Sequence, residues 1–459
     1  MQRTYLDDSS AIVALATTPG ESALAVIRAA GPGAIDLAAR CFSRPMALRA
    51  ARGHSLVHGF LQDPGTGERL DEVLVSVFRA PQSPTGEDGV EFSCHGSPAV
   101  ARAALRALES AGFLPALPGE FSFRAFLHGK TDLARAEAVQ ELVLARTDGA
   151  RTEALRRLEG GLSRRISAAR EQLISVLAEV QAGLDYGEDE SETDRELDPG
   201  PLVRLNGELS TLIESYAAGR LHGEGARVVV AGRPNAGKSS LFNLLLREER
   251  SIVAAEPGTT RDWIEARVEV EGMYLRLIDT AGLRATDSGV EAQGVARSRR
   301  LAMEAEALIY VVDGTAGLDS EDEVFLSGRI DAIRVWNKVD SPACSPAPDG
   351  FIPLSAIEGL GLEALVRSLV EGLRRGFGFG PAAPGAEARI LVASERQKRL
   401  LEEAREAIES ALAGIRTHIP LDALSLDLQA AADALGGITG EITSTEVLEA
   451  VFSRFCVGK

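Results

Sequence analysis

The stretch RVVVAGRPNAGKSSLFNLLLRE, residues 227–248, governs the interpretation of this 459-residue chain. At its centre GRPNAGKS (232–239) fits the pattern GxxxxGK[ST] between a strand-like run and a helical one. A strand that enters a glycine-rich turn and leaves as a helix aims a row of backbone N–H groups at one point, where phosphate binds. Gly232 and Gly237 free the backbone for that turn. Lys238 carries charge to the β- and γ-phosphates, and the Ser239 hydroxyl is placed to ligate Mg²⁺. Asn235, Ala236 and Ser240 complete the loop, with Asn235 a turn former in its own right.

Further along, GTTRD (258–262) lies where a loop could offer Thr260 to the magnesium, although a polar turn alone would look the same. DTAG (279–282) follows the strand-like MYLRLI; Asp279 would hold the metal through its water shell and the Gly282 N–H would sense a γ-phosphate, with Thr280 and Ala281 between them. The next residue is Leu283, where Ras-type switches carry a water-orienting glutamine. NKVD (337–340) ends another strand. Asn337 and Lys338 shape that turn, and Asp340 can accept from the ring N–H and amine of guanine, which adenine does not offer. SAI (355–357), Ser355, Ala356 and Ile357, then supplies a backbone N–H to the guanine oxygen. Five motifs in order, each at a strand end, identify a GTP site. GLGLEA (359–364) imitates a dinucleotide fingerprint but lacks a βαβ unit of its own.

Strand-like and helical stretches alternate from 227 to about 375, the pattern of a doubly wound, mostly parallel sheet. Residues 1–120 mix β-like runs with a helix at 98–111, so an α/β domain is expected there, and amphipathic helices dominate around 130–220 and after the linker GFGFGPAAPGAE (376–387). The expected division is 1–125, an N-terminal α/β domain; 126–222, a first helical part; 223–378, an inserted nucleotide domain; and 379–459, a second helical part.

Four scattered cysteines give no disulfide framework or CxxC pair, and no apolar run approaches the roughly 20 residues that span a membrane. A cytoplasmic protein is expected. The net charge of −18 excludes a broadly basic RNA-binding surface, although DYGEDESETDRELD (185–198) alone holds eight of the acids. Any contact with RNA must use a local patch or a partner's surface.

The motifs GRPNAGKSSLFN, GTTRD, DTAGLR followed by VE, and the terminal FCVGK resemble those of the MnmE (TrmE) tRNA-modification GTPases. TGEDGVEFSCHG (85–96), PGEFSFRAFLHGKTDLARAEAV (118–139) and GEITSTEVLEAVFSRFCVGK (440–459) extend the resemblance over nearly the whole chain. It implies an α/β multidomain protein with an N-terminal dimerisation and tetrahydrofolate-binding domain, a helical domain, and an inserted Ras-like P-loop GTPase domain. It further implies a homodimer joined by an MnmG-type FAD-dependent partner in a heterotetramer or larger complex. That complex would install a (carboxymethyl)aminomethyl group at C5 of the wobble uridine of certain tRNAs. The one-carbon donor would be 5-formyl- or 5,10-methylene-tetrahydrofolate.

The resemblance also implies an answer to Leu283. Hydrolysis would depend on K⁺, held by Asn235 and by carbonyls of IVAAEPGTT (252–260) that fall on Ala254, Glu256 and Thr259, with Ala255, Pro257 and Gly258 in the same nucleotide-facing loop. The water-positioning role falls on Glu291, a residue that would otherwise be a solvated charge near a helix start. Folate ligands would be Arg28, Glu91, Lys130 and the terminal Lys459, and Cys456 would be a thiol of the modification chemistry or simply a small apolar residue. Two departures stand out: TPGESA (18–23) replaces a PPGRGG-like turn, and the segment from NKVD to SAI is short and proline-rich. The competing reading is an Era/Der-like ribosome-assembly GTPase, which would need a second GTPase domain or a basic RNA-binding domain. A GTP-regulated scaffold would share the nucleotide motifs but not folate binding.

Overall fold

The computed structural model describes residues 5, 9–186, 197–248, 250–251, 264–279, 303–329, 331–377 and 390–458. The chain divides into two units: residues 1–140, 157–205 and 403–459 form the first, and 141–156 with 206–402 form the second.

The first unit is built on a six-stranded sheet. Its strands are β1 (Ile12–Leu15), β2 (Leu24–Ala30), β3 (Ser55–Gln62), β4 (Arg69–Phe78), β5 (Gly89–His95) and β6 (Leu114–Pro115), in the order β3-β4-β5-β2-β1-β6. All pairs are antiparallel except β1 with β6. Alternation sets the faces. On β5, Val90, Phe92 and Cys94 are buried while His95 is exposed. On β2, Ala25, Ile27 and Ala29 turn the same way. The buried face is covered by helices α1 (Ala34–Arg40), α2 (Pro45–Ala50) and α3 (Pro98–Ala111), with Ala104 and Leu108 of α3 in that core. α3 starts where expected from its signals. The Ser97 hydroxyl accepts from the Ala99 N–H, Pro98 opens the helix, and Gly112 at φ 116° ends it.

Helices follow: α4 (Glu120–Leu127), α5 (Leu133–Leu144), α6 (Asp148–Leu158), α7 (Gly161–Tyr186), α8 (Gly200–Glu214) and α9 (Tyr216–Glu224). The C-terminal part of the sequence returns to the first unit. After α13 (Glu395–Thr417), α14 (Leu421–Thr439) packs along α7, and α15 (Thr445–Phe452) packs against α4. An aromatic cluster of Tyr5, Phe123, Phe452 and Phe455 closes that contact.

The second unit holds a seven-stranded sheet of β7 (Ala226–Ala231), β8 (Arg250–Ser251), β9 (Ile264–Val270), β10 (Met273–Asp279), β11 (Ala307–Asp313), β12 (Ile333–Asn337) and β13 (Phe351–Leu354). The order is β13-β12-β11-β7-β10-β9-β8, parallel from β13 to β10 and antiparallel beyond. This is the doubly wound sheet anticipated from the alternating pattern. β7 and β11 read as continuous apolar runs because both faces are covered, by one core containing Val228, Val230, Ile309 and Leu365 and another containing Val229, Leu308 and Val312. The helices α10 (Lys238–Glu248), α11 (Ser320–Gly328) and α12 (Leu362–Phe377) supply the covering layers. The expected linker residues from Gly378 onward lie outside the described residues.

Candidate functional site

Four of the nucleotide motifs leave the C-terminal ends of parallel strands: the 232–239 loop follows β7, Asp279 ends β10, Asn337 ends β12 and Ser355 follows β13; GTTRD lies outside the described residues. β7 lies between β10 and β11, so the strand order reverses there, and that is where open α/β sheets bind ligands.

The loop's two glycines are fixed by space. At Gly232, φ 140°, a Cβ would lie 2.1 Å from the Val311 carbonyl oxygen; at Gly237, φ 97°, it would lie 2.1 Å from Asn337 Nδ2. No side chain fits either position. Lys238 donates to the Gly232 and Arg233 carbonyls at 2.8 and 2.7 Å, so its ammonium is curled inside the loop. The Ser239 hydroxyl donates to Asp279 Oδ2 at 2.7 Å, and Asp279 is buried. A hydroxyl and a carboxylate in contact, with Lys238 close in sequence, are hard oxygen donors suited to Mg²⁺. Among the described residues no group of three or more His, Cys, Asp or Glu could hold a metal, so the ion would need phosphate oxygens and water as well.

Asn337 ties the base side to the phosphate side. Its Nδ2 donates to the Ala236 carbonyl at 2.8 Å, and its Oδ1 accepts from the Ala356 N–H at 3.0 Å. Ser355 is fully buried, its hydroxyl accepting from the Glu358 N–H at 3.1 Å, which shapes the SAI turn. Asp340 and Ile357 are exposed at the rim, and Ser240 is exposed on the first turn of α10. Lys338, at φ 68°, pairs with Asp313 at the end of β11. Burial opposes ionisation of Asp313, but hydrogen bonds from Lys338 and Thr315 outweigh it and hold the carboxyl below its ordinary value. Asn235 is exposed and adopts φ 62°, a left-handed conformation asparagine tolerates. Ala254, Ala255, Glu256, Pro257, Gly258, Thr259, Thr260, Thr280, Ala281, Gly282 and Glu291 lie outside the described residues.

In the first unit, β2 and β5 pair so that Arg28 stands opposite Glu91. Arg28 Nε donates to Glu91 Oε1 at 2.7 Å, and Nη1 donates to the Gly458 carbonyl at 3.1 Å. The C-terminal segment is thereby held beside the outward face of the sheet. Lys130 instead donates to the Pro81 carbonyl at 2.9 Å. Lys459 lies outside the described residues. Cys456 is exposed, whereas burial pushes the Cys41 and Cys94 thiols up to about 12.

The profile of the GTP-binding protein TrmE N-terminus matches residues 11–130, and that of the MnmE helical domain matches residues 133–456. The chain belongs to the MnmE family of tRNA modification GTPases. The MnmE of Thermus thermophilus is 42% identical over 98% of this chain and 99% of its own length. That of Salinibacter ruber is 40% identical over 99% of this chain and all of its own. A solved structure of Aquifex aeolicus Era bound to GDP.AlF4- covers 40% of this chain and 66% of that one, at 23% identity and a TM-score of 0.27.

One residue of this MnmE-family site escaped the motif reading. Arg233, inside the phosphate loop, pairs with Asp319 and with Asp322 at 3.0 Å, and donates to the Gly317 carbonyl at 2.6 Å. Asp322 is fully buried and accepts from the Tyr310 hydroxyl at 2.8 Å, while Asp319 caps α11. Arg233 thus fastens the loop to the start of α11. Its pattern position is an unspecified x, so only the basic side chain itself signalled a role.

Proposed function

We propose that this chain binds and hydrolyses GTP in the service of tRNA modification, in the cytoplasm, with the roles the motifs assign. The observation that carries this reading is the convergence of Lys238, Ser239 and Asp279 with the Asn337-tied turns at one sheet edge. Lys238 neutralises charge on the β- and γ-phosphates, and loop N–H groups orient them. Asp340 accepts from guanine, and the Ala356 region meets the guanine oxygen. Ser239 and Asp279 would hold Mg²⁺, which would supply positive charge against that of the phosphates.

The finer reading is also ours. K⁺ at Asn235, Ala254, Glu256 and Thr259 would place positive charge against the transition state. Glu291 would orient the attacking water that Leu283 cannot. The chain would act as a homodimer with an MnmG-type FAD partner on wobble uridine. A tetrahydrofolate one-carbon donor would bind through Arg28, Glu91, Lys130 and Lys459, near the Cys456 thiol. The exposed, left-handed Asn235 and the Arg28–Glu91–Gly458 contact support these roles. The segments 1–125, 126–222, 223–378 and 379–459 are the domains we assign.

GTP turnover measured in K⁺ and in Na⁺ buffers over a range of protein concentrations tests the proposal. Turnover should be faster in K⁺ and rise more than linearly with protein. A rate indifferent to cation, with simple proportionality to protein, rejects the cation-driven dimer.

A further inference from the structure

Between the start of α5 and the first turns of α7, within the first unit, lies a cleft of about 340 Å³ lined by Asp132, Arg135, Glu159, Ser163, Arg164 and Glu171. None of these belongs to the nucleotide or folate residues. Three features coincide there. First, two arginine side chains meet at Gly160: a Cβ at that glycine would lie 3.3 Å from Arg164 Nη1 and 3.9 Å from Arg135 Nε. Both donate to backbone carbonyls, Arg135 Nε to Leu158 and Arg164 Nη1 to Glu159, and neither has a carboxylate partner among the described residues. Two adjacent cations with no carboxylate in ion-pair contact can meet an anion. Second, the cleft sits at the N-terminus of a 26-residue helix, whose first N–H groups lack helical partners and carry partial positive charge. Third, Ser163, the third residue of α7, is 9% exposed and its hydroxyl has no hydrogen-bond partner. A buried unpaired hydroxyl is costly, and a ligand atom at this cleft would satisfy it.

The carboxylates narrow the ligand. Asp132 is committed, accepting from the Arg135 N–H at 2.8 Å. Glu159 and Glu171 repel a dianion but can accept from neutral hydroxyls. A singly charged phosphodiester beside a sugar hydroxyl satisfies both sides. We propose that this cleft binds a ribose phosphodiester, the repeating unit of an RNA backbone. The proposal rests on the reading that the chain meets tRNA, and it locates one local patch by which so acidic a chain makes that contact.

The full chain is tested by fluorescence anisotropy against a labelled tRNA transcript and a DNA oligonucleotide of the same sequence, across a salt series. S163A removes only the unpaired hydroxyl and should leave GTP turnover unchanged and the unfolding midpoint equal to or slightly above the wild type's, while weakening tRNA binding by about threefold or more. R135Q/R164Q should weaken it by about tenfold and make the salt slope shallower by roughly 0.9 for each phosphate left unneutralised. The wild type should bind the transcript more tightly than the DNA, because the latter lacks the 2′-hydroxyl. Wild-type affinity and salt slope in both variants overturn the cleft while leaving the tRNA reading intact. A wild-type chain that binds no transcript overturns the tRNA reading, and the cleft's assignment with it.

Discussion

At Gly237 a single absent carbon holds the nucleotide edge together. The glycine's left-handed backbone brings its missing Cβ to 2.1 Å from Asn337 Nδ2, the atom that ties the loop to the base side. Gly237→Ala would therefore strain the backbone and displace the Asn337 amide at once. The two costs sum to about 2–5 kcal/mol. We expect a matching loss of stability in urea unfolding and loss of fluorescent-GTP binding; a variant with wild-type values would show that Asn337 is not the tie. The motif made Gly237 legible because phosphate chemistry needs a contiguous run of residues. It could not reveal Asn337 as the neighbour, which lies 101 residues from Ala236. Arg233 was hidden for the same reason, since Asp319 is 86 positions away.

Whole elements were legible where one face is wholly apolar or both are. β7 and β11 announce themselves by nearly continuous apolar runs, β10 by an apolar run broken at Arg276, and α3 by its cap and period. β9, IEARVEV, places charged residues at every second position and passes as polar, although Val268 and Val270 are core residues. β3, SLVHGFLQ, has its early half exposed and its burial confined to Gly59 and Leu61, so alternation is faint. One contact between elements sets a pH dependence. Glu306, just before β11, accepts from Arg220 on α9 at 2.7 Å and from the Arg227 N–H at the start of β7 at 2.8 Å. Burial would raise its carboxyl, but the hydrogen bonds from Arg227 and Arg220 outweigh that and hold it below its ordinary 4.5. Because the folded value is depressed, the stabilisation is present above the ordinary value and lost as pH falls through the folded one. Glu306→Gln should cost about 1–3 kcal/mol at pH 7 and remove that part of the wild type's decline at acid pH. Parallel stability curves for the two proteins from pH 7 to acid would refute the clamp.

Across the molecule, composition bounded the class but not the wiring. The charge of −18 spoke against a broadly basic surface, yet nothing in a charge total could mark Arg135 and Arg164 as neighbours. Nor could it show that α14 lies along α7, where Leu173 and Val180 are fully buried. Each such side chain gains about 1.5–3 kcal/mol from burial. A chain truncated after Pro420 should lose α7's protection from proteolysis while its second unit still binds fluorescent GTP. Wild-type resistance of α7 in that truncation would show that α14 is dispensable.

The first unit takes its strands from early in the sequence and its closing helices from beyond residue 402, as far as the Gly458 carbonyl on Arg28. A ribosome therefore finishes the second unit's residues before it has delivered those helices. The sheet made earliest waits through the synthesis of everything between, and only residues that leave the exit tunnel after the second unit can cap the arginine on β2.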